Sequence, residues 1–315
     1  MDGLIFNALF FMNRNKYFYL LFSIILLSCS KSNKSNNEET GTSEQTVNLS
    51  DLKEAGNGKA MMDEQPIVRS ELQDYSSLPI DSMDINLGEV NEAKVYGYRK
   101  SDTLIAEGDM LFKYPTRGMK YKFGVGTSAR RWPVRNSVIT IPYTISNNFP
   151  YPEEIRRDIK DAFDKWENKL NIKFVKRVSE PAFIYFLPSK RTASFVGKQG
   201  NRQSIELADW AESGNIAHEI GHALGLFHEH TRSDRDGFVA IDPSCKENIN
   251  YKHAFRTDFT AEDVGRYDFN SIMHYGRNDG CFTLKIRVSN PRIPGQRDSV
   301  SVGDYLTIKK LYALQ

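Results

Sequence analysis

Apolar and polar positions along the chain fall into segments with different periods. In "VITIPYTI", Val138 to Ile145, apolar residues alternate with smaller ones, which predicts a strand. In "PEEIRRDIKDAFDKWENKL", Ile155, Ile159, Ala162, Phe163, Trp166 and Leu170 recur at helical spacing behind Pro152 and two glutamates. That pattern predicts an amphipathic helix with one buried face. "IKFVKRV" and "AFIYFLPS" read as two short strands, and the apolar stripes of all these elements are core packing. Next comes "NIAHEIGHALGLFHEHTRSDRD", Asn215 to Asp236. Here Ile216, Ile220, Ala223 and Leu224 line one side of a helix while histidines occupy the other. The compact domain is expected to span 132–315. Upstream, residues 60–131 hold short apolar groups such as "KVYGYRK" and "DMLFKYP" without a long period, so an extended or weakly structured segment is expected there. Residues 30–59 are rich in Ser, Asn, Glu and Lys with almost no large apolar side chains, and read as a flexible tether.

The first 29 residues have a different character. From Met12, which makes a tidier start than Met1, Arg14 and Lys16 precede an apolar run from Tyr17 to Leu27 that is too short to span a bilayer. This reads as a signal peptide. Its end, Leu26-Leu27-Ser28-Cys29, resembles the bacterial lipobox, although Leu27 stands where a smaller residue is commoner. The expectation is an exported protein of the cell envelope, attached to membrane through a lipidated Cys29 or secreted after processing. Of the remaining cysteines, Cys245 and Cys281 could pair in an oxidising compartment, and the sequence leaves that open. A formal net charge of +2, with Arg130-Arg131 and Arg156-Arg157 isolated, gives no electrostatic case for a nucleic-acid partner.

Chemistry concentrates in the histidine segment. Each helical residue advances about 100°, so His218 and His222 lie one turn apart on one face and both imidazoles can reach one ion. Gly225 can take the left-handed conformation that ends a helix, turning the chain so that His228 returns to the same ion; a continued helix would carry it off the shared face. Three neutral histidines suit Zn2+ and leave a position open for water, the arrangement of a catalytic site. Glu219, about 100° from His218, misses the inner sphere but can take a proton from that water, so it is the expected general base for hydrolysis without a covalent intermediate.

"HEIGHALGLFHEHTRSDRD" resembles the extended signature of the astacins, a family of metzincin metallopeptidases, and "YDFNSIMHYG", Tyr267 to Gly276, resembles their Met-turn. "IPYTI" and "GQRDSVSVGDYLTIKKLY" extend the resemblance from Trp132 to Tyr312. It implies an α+β fold: a twisted mixed sheet, an active-site helix and a second helix above a cleft, and a smaller C-terminal subdomain with the Met-turn and a C-terminal helix. It implies zinc ligation by His218, His222 and His228, catalysis by Glu219, Met273 beneath the metal, and Tyr275 as a displaceable fifth ligand that stabilises the oxyanion. Glu229 would meet the mature N-terminus. His230, His253 and His274 receive no metal role and are expected as surface or hydrogen-bonding histidines. The family's two usual disulfides have no cysteines here, which leaves Cys245 and Cys281 as a replacement. Residues "IAEGDMLF" resemble an inhibitory pro-segment motif whose aspartate, here Asp109, binds zinc in the latent form; Ala106 stands where the family has an aromatic residue. The implied partners are a protein or peptide substrate and an activating protease that cuts between Lys120 and Arg131. A zinc amidase acting on cell-wall peptides uses the same chemistry, and a non-catalytic surface binding protein is the reading from another class. Glu219 and Tyr275 argue against the latter, which has no evident need of either.

Overall fold

In the computed structural model the described residues are 75, 77–86, 92–114, 123–124, 130–247, 254–255, 257, 263–276, 281–285 and 294–314. All belong to the second of two units, residues 64–315. The signal-like segment 1–29, the tether 30–59 and His253 lie outside the described residues.

Upstream of Trp132 the chain forms β1 (Ile80–Asn86), β2 (Glu92–Lys100), β3 (Thr103–Ala106) and β4 (Met110–Lys113), an antiparallel meander in sequence order. Of the two expected forms, extended or weakly structured, the strands match the first and are more regular than the second. β3 and β4 are only four residues long, but Met83 and Ile85, Val95, Leu104 and Ala106, and Met110 and Phe112 place buried side chains on one face, where they meet in a small core. Gly97 is required there: a Cβ would collide with the Ile105 carbonyl on the neighbouring strand. A short strand, β5 (Phe123–Gly124), pairs in parallel with β1.

The main domain continues the same sheet. β6 (Val134–Arg135) is antiparallel to β7 (Val138–Ile145), the strand predicted from alternation. β8 (Ile172–Lys176) and β9 (Phe183–Pro188) flank β7 in parallel, and β11 (Arg202–Leu207) runs parallel to β9. β10 (Ala193–Phe195) lies antiparallel to β11 and takes β4 as its other neighbour, in parallel. One mixed 11-stranded sheet results among the described residues. The predicted helix is α1 (Pro152–Glu167), with Pro at its start, Glu153 and Glu154 in the first turn, and Ile155, Ile159, Ala162, Phe163 and Trp166 buried. Leu170 is buried too, but it packs from the turn that follows the helix.

The histidine helix is α2 (Ser213–Leu224), buried from Ile216 to its end, which requires its polar backbone to be satisfied inside the protein. Trp166 Nε1 donates to the Ala217 carbonyl (2.9 Å) and Trp132 Nε1 to the Ala223 carbonyl (2.8 Å). Tyr312 donates its hydroxyl to the Leu224 carbonyl (3.0 Å), so two indoles and a phenol fix the helix. Beyond it, β12 (Val239–Ile241), α3 (Pro243–Glu247) and β13 (Phe282–Leu284) form the smaller C-terminal part, with β12 antiparallel to β13. Cys245 and Cys281 are disulfide-bonded there, with Cα atoms 5.8 Å apart. The last helix, α4 (Val302–Leu311), opens with a reciprocal cap in which Asp304 N donates to Ser301 Oγ.

Candidate metal centre

Helical spacing places His218 and His222 side by side, with ring centroids 4.8 Å apart. Gly225 ends α2 with φ 111, the left-handed conformation, and the Leu226 N–H bonds back to the Gly221 carbonyl (3.0 Å). The chain then turns and His228 comes back beneath the helix. Its Nε2 lies 3.2 Å from His218 Nε2 and 3.2 Å from His222 Nε2. Two nitrogens bound tetrahedrally at about 2.0–2.1 Å from one ion would sit about 3.3 Å apart.

The outer nitrogens explain why the inner ones are available. His218 Nδ1 lies 2.7 Å from the Ile272 carbonyl and His222 Nδ1 lies 2.8 Å from the Leu226 carbonyl. A carbonyl only accepts, so each Nδ1 carries the proton and each Nε2 keeps its lone pair. His228 Nδ1 instead faces a carboxylate, Glu107 Oε2, at 2.7 Å.

The fourth member of the group is Asp109, buried immediately before β4. Its carboxylate oxygens lie 3.4 Å from His218 Nε2, 3.7 Å from His222 Nε2 and 3.2 Å from His228 Nε2. Asp109 Oδ1 is buried with no hydrogen-bond partner, and the Nε2 atoms of His218 and His222 turn lone pairs toward this carboxylate. That donor set suits a metal ion better than a hydrogen-bond network, and Asp109, His218, His222 and His228 can hold one ion together. Burial, reinforced by charge on His228, keeps His222 well below its ordinary value.

Glu219 is buried on α2 between the two helical histidines. Tyr275 is fully buried, its ring centroid 4.4 Å from that of His228, and its hydroxyl donates to the Glu107 carbonyl. Met273 packs below the histidines, where a Cβ at Gly221 would collide with its sulfur. Glu229 accepts from the Asp268 N–H (2.7 Å), and burial pushes its carboxyl up to about 8 against the pull of Arg232. His230 and His274 are both buried, which removes the surface alternative for them. His230 Nε2 meets the Ala254 carbonyl (3.0 Å), and His274 joins the Tyr267 hydroxyl (2.7 Å) to the Tyr275 carbonyl (2.8 Å). Sequence reasoning missed Glu107, which reaches His228 across 121 positions, and Asp304, which anchors the Met-turn through Ser271 Oγ (2.6 Å) and the Ile272 N–H (2.9 Å). Glu107 has no local signal, since its partner is distant in sequence; Asp304 carries one only for its helix cap, Ser301-x-x-Asp304, and none for its bonds to the Met-turn.

A mixed sheet, a buried helix carrying two histidines, a glycine turn to a third and a methionine turn beneath define a metzincin-type metallopeptidase. Comparison with known proteins narrows the class. The family described as Astacin (Peptidase family M12A) matches residues 125–313. Low choriolytic enzyme of Oryzias latipes is 34% identical over 270 residues, covering 83% of this chain and 90% of that protein. Tolloid-like protein 2 of Mus musculus is 38% identical over 192 residues, 55% of this chain and 18% of its own length. The solved structure of High choriolytic enzyme 1, a hatching enzyme zinc-protease from Oryzias latipes, superposes with a TM-score of 0.51 at 32% identity, over 60% of this chain and 97% of that one. This chain belongs to the astacin family. It is a zinc metalloendopeptidase with one catalytic zinc ion.

Proposed function

We propose that the chain is a zymogen: a zinc endopeptidase for protein or peptide substrates, with His218, His222 and His228 as zinc ligands and Glu219 as general base. Residues 60–131 act as its pro-segment, and Asp109 holds it latent. The observation that carries the reading is the convergence of Asp109 with the three inner histidine nitrogens in one buried group. A zinc ion held by His218, His222 and His228 would lower the pKa of a water to about 7 and polarise the scissile carbonyl. Glu219, one residue after His218 on the same helix, receives the water's proton and returns it to the leaving amine. Tyr275 lies beside His228, and its hydroxyl, once free of the Glu107 carbonyl, is a donor for the oxyanion. Asp109, as a fourth ligand beside the three histidines, would take the place that the attacking water needs, so substrate hydrolysis waits on removal of the segment that carries it.

Glu219→Gln keeps the shape of the side chain and removes its basicity. The expected result in the processed domain is zinc content unchanged and turnover lower by about 10²–10⁴. Parental turnover in the zinc-loaded variant would remove Glu219 from the mechanism. For latency, Asp109→Ala in a chain beginning at Ser30 is expected to be active before any cleavage while the parent is silent. Equal silence of the two until cut would mean that Asp109 is not the blocking ligand.

A further inference from the structure

We propose that Glu107 is a second part of the latent site, a positioning residue that braces His228 on zinc only while the pro-segment is in place. The proposal rests on the reading of Asp109 as the pro-segment ligand. Its starting point is an asymmetry among the three histidines. His218 and His222 are oriented by carbonyls of Ile272 and Leu226, which belong to the peptidase domain and stay with it. His228 is oriented by the carboxylate of Glu107, which leaves with the pro-segment. Glu107 is buried against the site, and its Oε2 stands 2.7 Å from His228 Nδ1, on the far side of the ring from Asp109.

The backbone around Glu107 is shaped for this reach. Glu107 and Gly108 both have positive φ, 51 and 94, so the chain leaves β3 through two successive left-handed residues before β4 begins. The turn is pinned from outside by Tyr75, whose hydroxyl donates to the Gly108 carbonyl (2.6 Å). It sends the Glu107 side chain to His228 and the Glu107 carbonyl to the Tyr275 hydroxyl. One residue therefore engages the third histidine and the tyrosine at once, while Asp109, two residues on, takes the centre.

A carboxylate partner makes an imidazole a stronger donor to its metal than a carbonyl partner does, and loss of such an outer partner costs about 10–100-fold in metal affinity. The latent chain should hold zinc more tightly than the processed domain, for two separable reasons: Asp109 as a ligand and Glu107 as the brace. Removal of the pro-segment then frees the open position and loosens His228 together.

The experiment measures zinc dissociation from the full chain by competition with a chromogenic chelator, for the parent, Glu107→Ala, Glu107→Gln and Asp109→Ala. Expected is a 10–100-fold loss of affinity for Glu107→Ala, with Glu107→Gln between it and the parent because the amide oxygen still accepts from Nδ1 but carries no charge. Processed domains from the parent and both Glu107 variants have one sequence and should share one affinity. If Glu107→Ala fails to fold, judged by circular dichroism, the near-isosteric Glu107→Gln carries the test. Folded Glu107 variants with parental zinc affinity in the latent chain would overturn the proposal. If Asp109→Ala changes neither affinity nor latency while the Glu107 variants still lose zinc, the Asp109 reading fails alone. If only Asp109→Ala loses zinc, the Glu107 proposal fails alone.

Discussion

Gly221 shows how a single missing side chain sets the site. It lies between His218 and His222 in a helix interior, where glycine costs about 1 kcal/mol relative to alanine. The reason for it is Met273, whose sulfur fills the space that a Cβ would need, with Trp166 close on the same side. For Gly221→Ala the helix-propensity gain is about 1 kcal/mol, whereas inserting a methyl into a packed core costs about 1–3 kcal/mol. The collision is with the core directly under both ligands, so overpacking should win. The expected outcome is a net destabilisation of up to about 2 kcal/mol, seen as a fall in melting temperature of up to about 8 °C, with weaker zinc binding. A rise in melting temperature with unchanged zinc affinity would show that Met273 yields without strain. The convergence of His218, His222 and His228 was legible because helical arithmetic and one glycine turn determine where they point. The Met273 contact was legible only as part of a family pattern, because nothing local in "SIMHYG" says that its sulfur faces Gly221.

Among the elements, the Met-turn is held by α4 rather than by itself. Asp304, in the first turn of α4, accepts from Ser271 Oγ (2.6 Å), the Ile272 N–H (2.9 Å) and the Ser301 N–H (2.9 Å), so one carboxylate both caps a helix and anchors the turn. Asparagine presents donors where one oxygen was and cannot accept at both ends. Asp304→Asn is expected to cost about 1–3 kcal/mol through an unsatisfied buried donor, measured by chemical denaturation. The pH dependence has a definite sign. Burial, outweighing hydrogen bonds from Ser271, Ile272 and Ser301, holds this carboxyl above its usual range. The folded state then binds the proton more tightly than the unfolded chain, and the Asp304 contribution is largest in acid and declines as pH rises through the folded-state value. The difference in stability between parent and Asp304→Asn should shrink over that rise; a difference that grows with pH would reverse the assignment. α1, β7, β8 and β9 could be read from the sequence because each carries its own period. β1 to β4 could not, since small and polar residues interrupt the apolar positions of β1 and β2, β3 and β4 run over only four residues each, and a core forms only when the four strands are stacked.

At the scale of the whole molecule, residues upstream of Trp132 are built into the peptidase by three means. β4 extends the sheet along β10, with the Ser194 N–H on the Asp109 carbonyl (2.9 Å) and the Val196 N–H on the Leu111 carbonyl (3.3 Å). Val196 and Phe227 of the peptidase enter the small core of the meander. Asp109 and Glu107 meet the histidines. Cleavage of the connecting chain breaks none of these contacts. It should fall before Arg130, whose carbonyl accepts from the Lys198 N–H (2.8 Å) and whose guanidinium bonds Gln199 (2.6 Å), tying that basic residue into the domain. The expected product of one cut is therefore a nicked complex that remains inactive: two pieces on a denaturing gel, one species by size-exclusion chromatography. Activity should then appear on dilution, as the pro-segment dissociates, or after a second cut within the meander, and it should be lower at higher protein concentration. This follows from mass action, since a non-covalent inhibitor with its own folded core leaves only in proportion to its dissociation constant. Full activity at the moment of cleavage, independent of concentration, would show that the strand pairing and the buried carboxylates hold the segment only while it is covalently attached.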